Sequence, residues 1–110
     1  MLNQPLDLAF QALSDATRRA LVTRLAGGPL SVSELAKPLP MSLPAVLQHL
    51  SVLEGAGLIV SQKRGRVRTC RLEISAVAEA ERWLSAQRGE WERRFDRLGD
   101  YLNSTPGETK

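Results

Sequence analysis

The stretch Ser42-Leu43-Pro44-Ala45-Val46-Leu47-Gln48-His49-Leu50-Ser51-Val52-Leu53-Glu54-Gly55-Ala56-Gly57-Leu58-Ile59 decides the fold. Ser42 supplies helix N-cap chemistry, and Pro44 falls in the first turn, where a missing N–H breaks no hydrogen bond. Val46, Leu50 and Leu53 recur at helical spacing and predict a buried stripe on a helix over about 42–55, which Gly55 and Gly57 close. The stripe leaves Leu43, Pro44, Leu47, Gln48 and Ser51 projecting away from the core. A leucine such as Leu47 has no reason to face water on a solvated helix.

Downstream the period changes. Leu58-Ile59-Val60 is a short apolar run, and Val67, Cys70 and Leu72 are spread through an arginine-rich segment. Between them, Gln62-Lys63-Arg64-Gly65-Arg66 centres on a glycine suited to a tight turn. Two strands are predicted, 58–62 and 67–72. Residues 42–71 carry five basic side chains (Lys63, Arg64, Arg66, Arg68, Arg71) against one acid, Glu54, whereas 72–110 carry eight acids against six bases. The positive charge is local.

Upstream, Ser31 and Glu34 have capping-box spacing and open a helix with Leu35 and Ala36 inward, ended by Pro38 and Pro40. Ser14-Asp15-Ala16-Thr17 caps an earlier helix whose apolar stripe is Ala20, Leu21 and Leu25, with Arg18, Arg19 and Arg24 on its surface; Gly27-Gly28-Pro29 stops it. Pro5 starts a first helix carrying Leu6, Ala9, Phe10 and Leu13. From Ile74 to about Asn103 the helical period returns, with Leu84, Trp91, Phe95, Leu98 and Leu102 near heptad positions, Arg88 in the series, and Gly89 and Gly99 as weak points for a bend. A helix this long has too much apolar face for so short a monomer, which makes Trp91 and Phe95 dimer anchors. Acids at Glu79, Glu81, Glu90, Glu92, Asp96 and Asp100 alternate with arginines as i,i+4 pairs on a solvated face.

The order helix, helix, helix, helix, hairpin, long helix describes a mainly α (α+β) winged helix-turn-helix: four short helices, a two-stranded β-wing over about 58–72 and a C-terminal dimerisation helix over about 74–103. One domain is expected over 1–103, with a frayed tail over 104–110. A B-DNA major groove admits one α-helix, so the 42–55 helix is the reader and the helix before it the brace. Leu47 and Leu43 suit a thymine methyl, Gln48 an adenine edge, and Ser42, Pro44 and Ser51 complete the DNA-facing set. His49 suits a phosphate contact or helix packing, with no partner nearby in sequence. Lys63, Arg64, Arg66 and Arg68 suit the phosphate backbone. The alternative is a winged helix that docks a protein on its Leu43/Leu47 face, against which the clustered cations argue.

Composition narrows the field further. The chain has 110 residues, 43% hydrophobic and 25% charged, with net charge +3, one cysteine and one histidine. No intrachain disulfide is available, and neither a metal cluster, a nucleophile–base pair nor a phosphate loop is present, so no enzyme, no metal site and no cofactor are expected. Cys70 is expected as a small, half-buried residue of the second wing strand, a redox role requiring exposure and a lowered pKa. The start Met1-Leu2-Asn3-Gln4-Pro5 is no signal peptide and no apolar run spans a membrane, so a cytoplasmic protein is expected.

The run Ala12-Leu13-Ser14-Asp15-Ala16-Thr17-Arg18-Arg19 resembles the opening signature of the ArsR/SmtB family of bacterial repressors, although proline is usual at the place of Ala16. Residues Ser42 to Ile59 are similar to that family's recognition helix and its exit, and the likeness covers about 6–100. The resemblance implies a homodimeric repressor on a double-stranded, pseudo-palindromic operator. Its interface would join the first and last helices: Leu6 and Phe10 with Leu84, Trp91, Phe95, Leu98 and Leu102. It also implies release by an inducer or by thiol oxidation. The family's metal-sensing cysteines correspond to Ser31 and Ser33, and the last helix holds no histidine, so the chain resembles a subgroup lacking the known sensor sites. An unidentified small-molecule inducer, with a pocket beside Trp83, stays open.

Overall fold

A computed structural model describes residues 4–104. Of the tail expected to fray, Ser104 ends the last helix and 105–110 lie outside the described residues, as does the Met1-Leu2-Asn3 start. The chain runs α1 (Gln4–Ala12), α2 (Ala16–Leu25), β1 (Leu30–Ser31), α3 (Val32–Ala36), α4 (Leu43–Gly55), β2 (Ile59–Arg64), β3 (Val67–Leu72) and α5 (Ile74–Ser104). No helix of the described residues is long and apolar enough to cross a membrane.

Local chemistry sets the starts of α2, α3 and α4. The Asp15 carboxylate accepts from the Arg18 N–H at 3.0 Å and caps α2. Ser31 and Glu34 close a reciprocal capping box at α3, the hydroxyl accepting at 3.1 Å and the carboxylate at 2.8 Å. Ser42 caps α4, its hydroxyl accepting from the Ala45 N–H.

The arginines of α2 lie on its surface, as the sequence suggests, and reach the ends of neighbouring helices. Arg18 and Arg19 reach back to the end of α1, donating to the Ala12 carbonyl at 2.6 Å and the Leu13 carbonyl at 2.8 Å. Arg24 reaches forward to α3, donating to the Leu35 and Glu34 carbonyls at 2.9 Å each. A helix C-terminus leaves carbonyls without intrahelical partners, and a guanidinium fork satisfies two of them while complementing the dipole. Ala20, expected inward, is exposed, and Leu21 and Leu25 alone carry the buried side of α2.

The hairpin β2–β3 forms as expected but reaches Arg64, two residues beyond the predicted end, and β1 adds a short third strand to give the order β1-β3-β2. Leu30 pairs with Cys70 and Ser31 with Thr69, so the sheet's added edge leads directly into α3. A two-residue pairing carries no period that a sequence pattern can show. Gly65, at φ +61°, opens the two-residue turn Gly65-Arg66, a backbone that glycine adopts without steric cost.

Two compact units divide the chain, one running to Glu79 and the other from Ala80. The core of the first contains Leu21, Leu35, Val46, Leu53, Leu58, Ile59 and Cys70, with Ala76 and Val77 from the opening of α5 packed against it. In the second, α5 runs uninterrupted through Gly89 and Gly99, and Leu84, Trp91, Phe95, Leu98 and Leu102 are all at least half exposed. Glu90 gathers Arg93 at 2.9 Å, Arg94 at 3.2 Å and Arg97 at 3.9 Å, and the hydrogen bonds from Arg93 and Arg94 hold its carboxyl below the usual carboxylate range.

Leu53, with none of its surface exposed, tests the core. Truncation to alanine is expected to lower unfolding free energy by about 2–5 kcal/mol, because a cavity is left behind. Leu43→Ala, at a position 53% exposed, is expected to change it by less than about 0.5 kcal/mol. Urea unfolding followed by circular dichroism checks both.

Candidate nucleic-acid interface

On α4, Val46, Leu50 and Leu53 are buried, while Leu43, Pro44, Leu47, Gln48 and Ser51 are exposed, as the sequence predicts. Packing against α1, α2, α3 and β2 holds the buried side. Leu43 and Leu47 are 53% and 42% exposed, one helical turn apart. They form part of the wall of a groove of about 470 Å³, whose other side is the wing, with Lys63, Arg66 and Arg68. The start of α3 borders the same groove through Ser31 and Ser33.

Strand register sorts the wing cations. Ile59 pairs with Leu72, Ser61 with Cys70 and Lys63 with Arg68, so alternation puts these pairs on one face. Ile59 and Cys70 are buried, which turns that face toward the body of the protein. Lys63 and Arg68 therefore stand directly opposite each other, an arrangement of like charges that disfavours the sheet by itself. Arg64, paired with Val67, and Arg66 lie at the tip.

One anionic group answers this cluster from α4. Arg68 donates to the Ser61 hydroxyl at 2.9 Å, and that hydroxyl lies 3.2 Å from both oxygens of Glu54. A hydroxyl has one proton and two lone pairs, so it accepts from Arg68 while donating to Glu54. The relay ties the end of α4 to the middle of the wing. Neither Glu54 nor Ser61 was among the expected site residues; the signal available was that Glu54 is the sole acid within 42–71.

The structure places His49 in a contact between helices, the helix-packing alternative, and corrects one expectation, that for Cys70. The His49 Nδ1 lies 3.3 Å from Arg18 Nη1 and 3.8 Å from an Asp15 carboxylate oxygen. It therefore links α4 to the start of α2. The Asp15 carboxyl is held below the usual carboxylate range by the Arg18 backbone N–H, with the nearby His49 and Arg18 charges adding to it. Cys70, expected half-buried, is only 1% exposed, because its strand position faces the core. Burial pushes its thiol pKa up and the Glu54 charge adds to this, against the pull of Arg68. Both effects oppose the thiolate that redox chemistry needs.

A family model described as a helix-turn-helix domain matches residues 13–62. The chain is 53% identical over 72 residues to the HTH-type transcriptional regulator Rv2034 of Mycobacterium tuberculosis, covering 66% of this chain and 67% of that protein. It is 28% identical to the transcriptional repressor SdpR of Bacillus subtilis, over 68% of this chain and 83% of that one. Among solved structures, the ArsR family transcriptional regulator RHA00566 is 47% identical, with TM-score 0.77, covering 84% of this chain and 95% of that one. The chain belongs to the ArsR family. It is a DNA-binding transcriptional regulator of winged helix-turn-helix fold.

Within this ArsR-family chain, the positions expected to replace metal-sensing cysteines, Ser31 and Ser33, lie at the start of α3, where Ser31 is occupied as its cap. Among the described residues no three His, Cys, Asp or Glu side chains gather as a metal site.

Glu54 is linked to Arg68 through the Ser61 hydroxyl, and its negative charge offsets part of the positive charge that the wing offers to phosphate. Glu54→Gln, which removes that charge, is expected to raise affinity for any duplex about twofold to fivefold, the scale of one surface electrostatic interaction. Fluorescence anisotropy on two unrelated duplexes checks this. A loss of affinity on both would show instead that the relay is needed to aim Arg68.

Proposed function

We propose that the protein is a homodimeric repressor that inserts α4 into the major groove of a pseudo-palindromic operator and grips the flanking backbone with its wing. The supporting observation is the exposed Leu43, Leu47, Gln48 and Ser51 face beside a wing groove carrying Lys63, Arg66 and Arg68. Gln48 matches an adenine edge in two-point hydrogen bonding. Ser42, Pro44 and Ser51 lie against the strand that α4 approaches. Arg64 and Arg66 at the tip reach phosphates, and His49, held by Arg18, serves to fix the seating of α4. The repressing sense follows the likeness to SdpR. The protein acts by binding alone, in the cytoplasm where a bacterial operator lies.

Dimerisation belongs to α5 in this proposal. Leu84, Trp91, Phe95, Leu98 and Leu102, with Arg88 between, follow alternating three- and four-residue steps, the seam of a helix pair. Trp91 and Phe95 already stack, their ring centroids 5.6 Å apart. Phe10, half-buried on α1, and Leu6, buried on the same helix, make up the α1 side of this proposed interface. A twofold dimer sets two α4 helices about 34 Å apart, one DNA turn.

Gln48→Ala is expected to flatten sequence preference by about 1–3 kcal/mol at one base pair of each half-site. Arg66→Ala is expected to weaken binding to all duplexes and reduce the salt slope by about one per subunit. Binding titrations from low to physiological salt on operator and scrambled DNA separate the two. Uniform loss from Gln48→Ala would remove it as a base reader.

Trp91→Ala is expected to weaken self-association roughly thirtyfold, the effect of an interface anchor worth about 2 kcal/mol. Analytical ultracentrifugation over a concentration series measures it. An unchanged dimer constant would move the interface away from this stretch of α5.

A further inference from the structure

The groove between α4 and the wing combines two chemistries that rarely share one partner. Its α4 wall carries Leu43 and Leu47, both large, apolar and substantially exposed. Its wing wall carries Lys63, Arg66 and Arg68, with Lys63 and Arg68 held opposite each other by strand register. An occupant must therefore offer small apolar groups flanked by closely spaced anions. In the DNA major groove one base edge is apolar, the C5-methyl of thymine, and phosphates border it on the same strand.

We propose that Leu43 and Leu47 are specificity-determining residues that read thymine methyl groups, so that each operator half-site carries thymines at two positions facing α4. This rests on the operator-binding function proposed above and names the base chemistry it recognises. Leucine offers no hydrogen bond to any base edge, so discrimination here comes from burying a methyl instead of from donor–acceptor pairing. The Arg68 guanidinium gives one donor to Ser61 and keeps others for phosphate. The cations hold the strand against α4 and the leucines select among the bases it presents. A 5-methylcytosine presents the same methyl with a different Watson–Crick edge and fits the same contact.

The test begins with duplexes selected by the full-length protein from a randomised pool. Each thymine of the selected half-site is then replaced singly by uracil, which removes the methyl and leaves base pairing intact. Two positions are expected to lose about fourfold in affinity, the equilibrium equivalent of one buried methyl. In Leu47→Ala, the thymine-to-uracil ratio at one of these positions should fall to about one, and in Leu43→Ala at the other. Placing 5-methylcytosine opposite guanine at either position, compared with plain cytosine, should recover affinity if the methyl alone is read. Selective binding with no uracil effect overturns the proposal and leaves operator binding standing. Selection that yields no consensus removes operator recognition, and the proposal falls with it; the apolar wall would then belong to a protein partner.

Discussion

Val46, Leu50 and Leu53 are buried against four neighbouring elements, and their burial fixes the rotation of α4 about its own axis. An α-helix turns about 100° per residue, so a slip of one position would drive Leu47 and Ser51 inward and lift the apolar stripe into water. Each buried leucine or valine contributes roughly 1.5–3 kcal/mol relative to exposure, which makes that slip prohibitive. The exposed face of Leu43, Leu47, Gln48 and Ser51 is thus a consequence of core packing. Everything assigned to that face depends on the same three side chains.

Arginine plays opposite parts on the two sides of this helix. On α2, Arg18, Arg19 and Arg24 are taken up by backbone carbonyls at the ends of α1 and α3, and so fasten the helices that support α4. On the wing, like charges are placed opposite each other, a local loss of stability that an approaching polyanion reverses. Glu54 and Ser61 moderate that repulsion and couple the wing to the end of α4. Burial in the core raises the Cys70 thiol pKa, with the Glu54 charge adding to it against the pull of Arg68, and this cysteine packs within the sheet.

Much was legible in the sequence because it is governed by short-range rules. The capping box at Ser31 and Glu34, the caps at Asp15 and Ser42, and the glycine turn at Gly65 each depend on residues within a few positions of one another. The buried stripe of α4 and the exposed series on α5 are read from periodicity alone, since one face of a helix is fixed once its period is known. The family likeness rests on the same local signatures.

What only the tertiary structure decided involves residues far apart in sequence. Pairing of β1 with β3 joins residues some forty positions apart, and its two-residue length carries no pattern. Arg18 meets His49 across 31 positions, so an isolated histidine in the sequence proves to be a link between helices. Cross-strand register alone determined that Lys63 faces Arg68 and that Cys70 is fully buried, because a shift of one residue would have reversed both. Composition and spacing establish how many cations the wing carries; only the fold determines which of them share a groove with Leu43 and Leu47, since that depends on how a helix and a hairpin pack together.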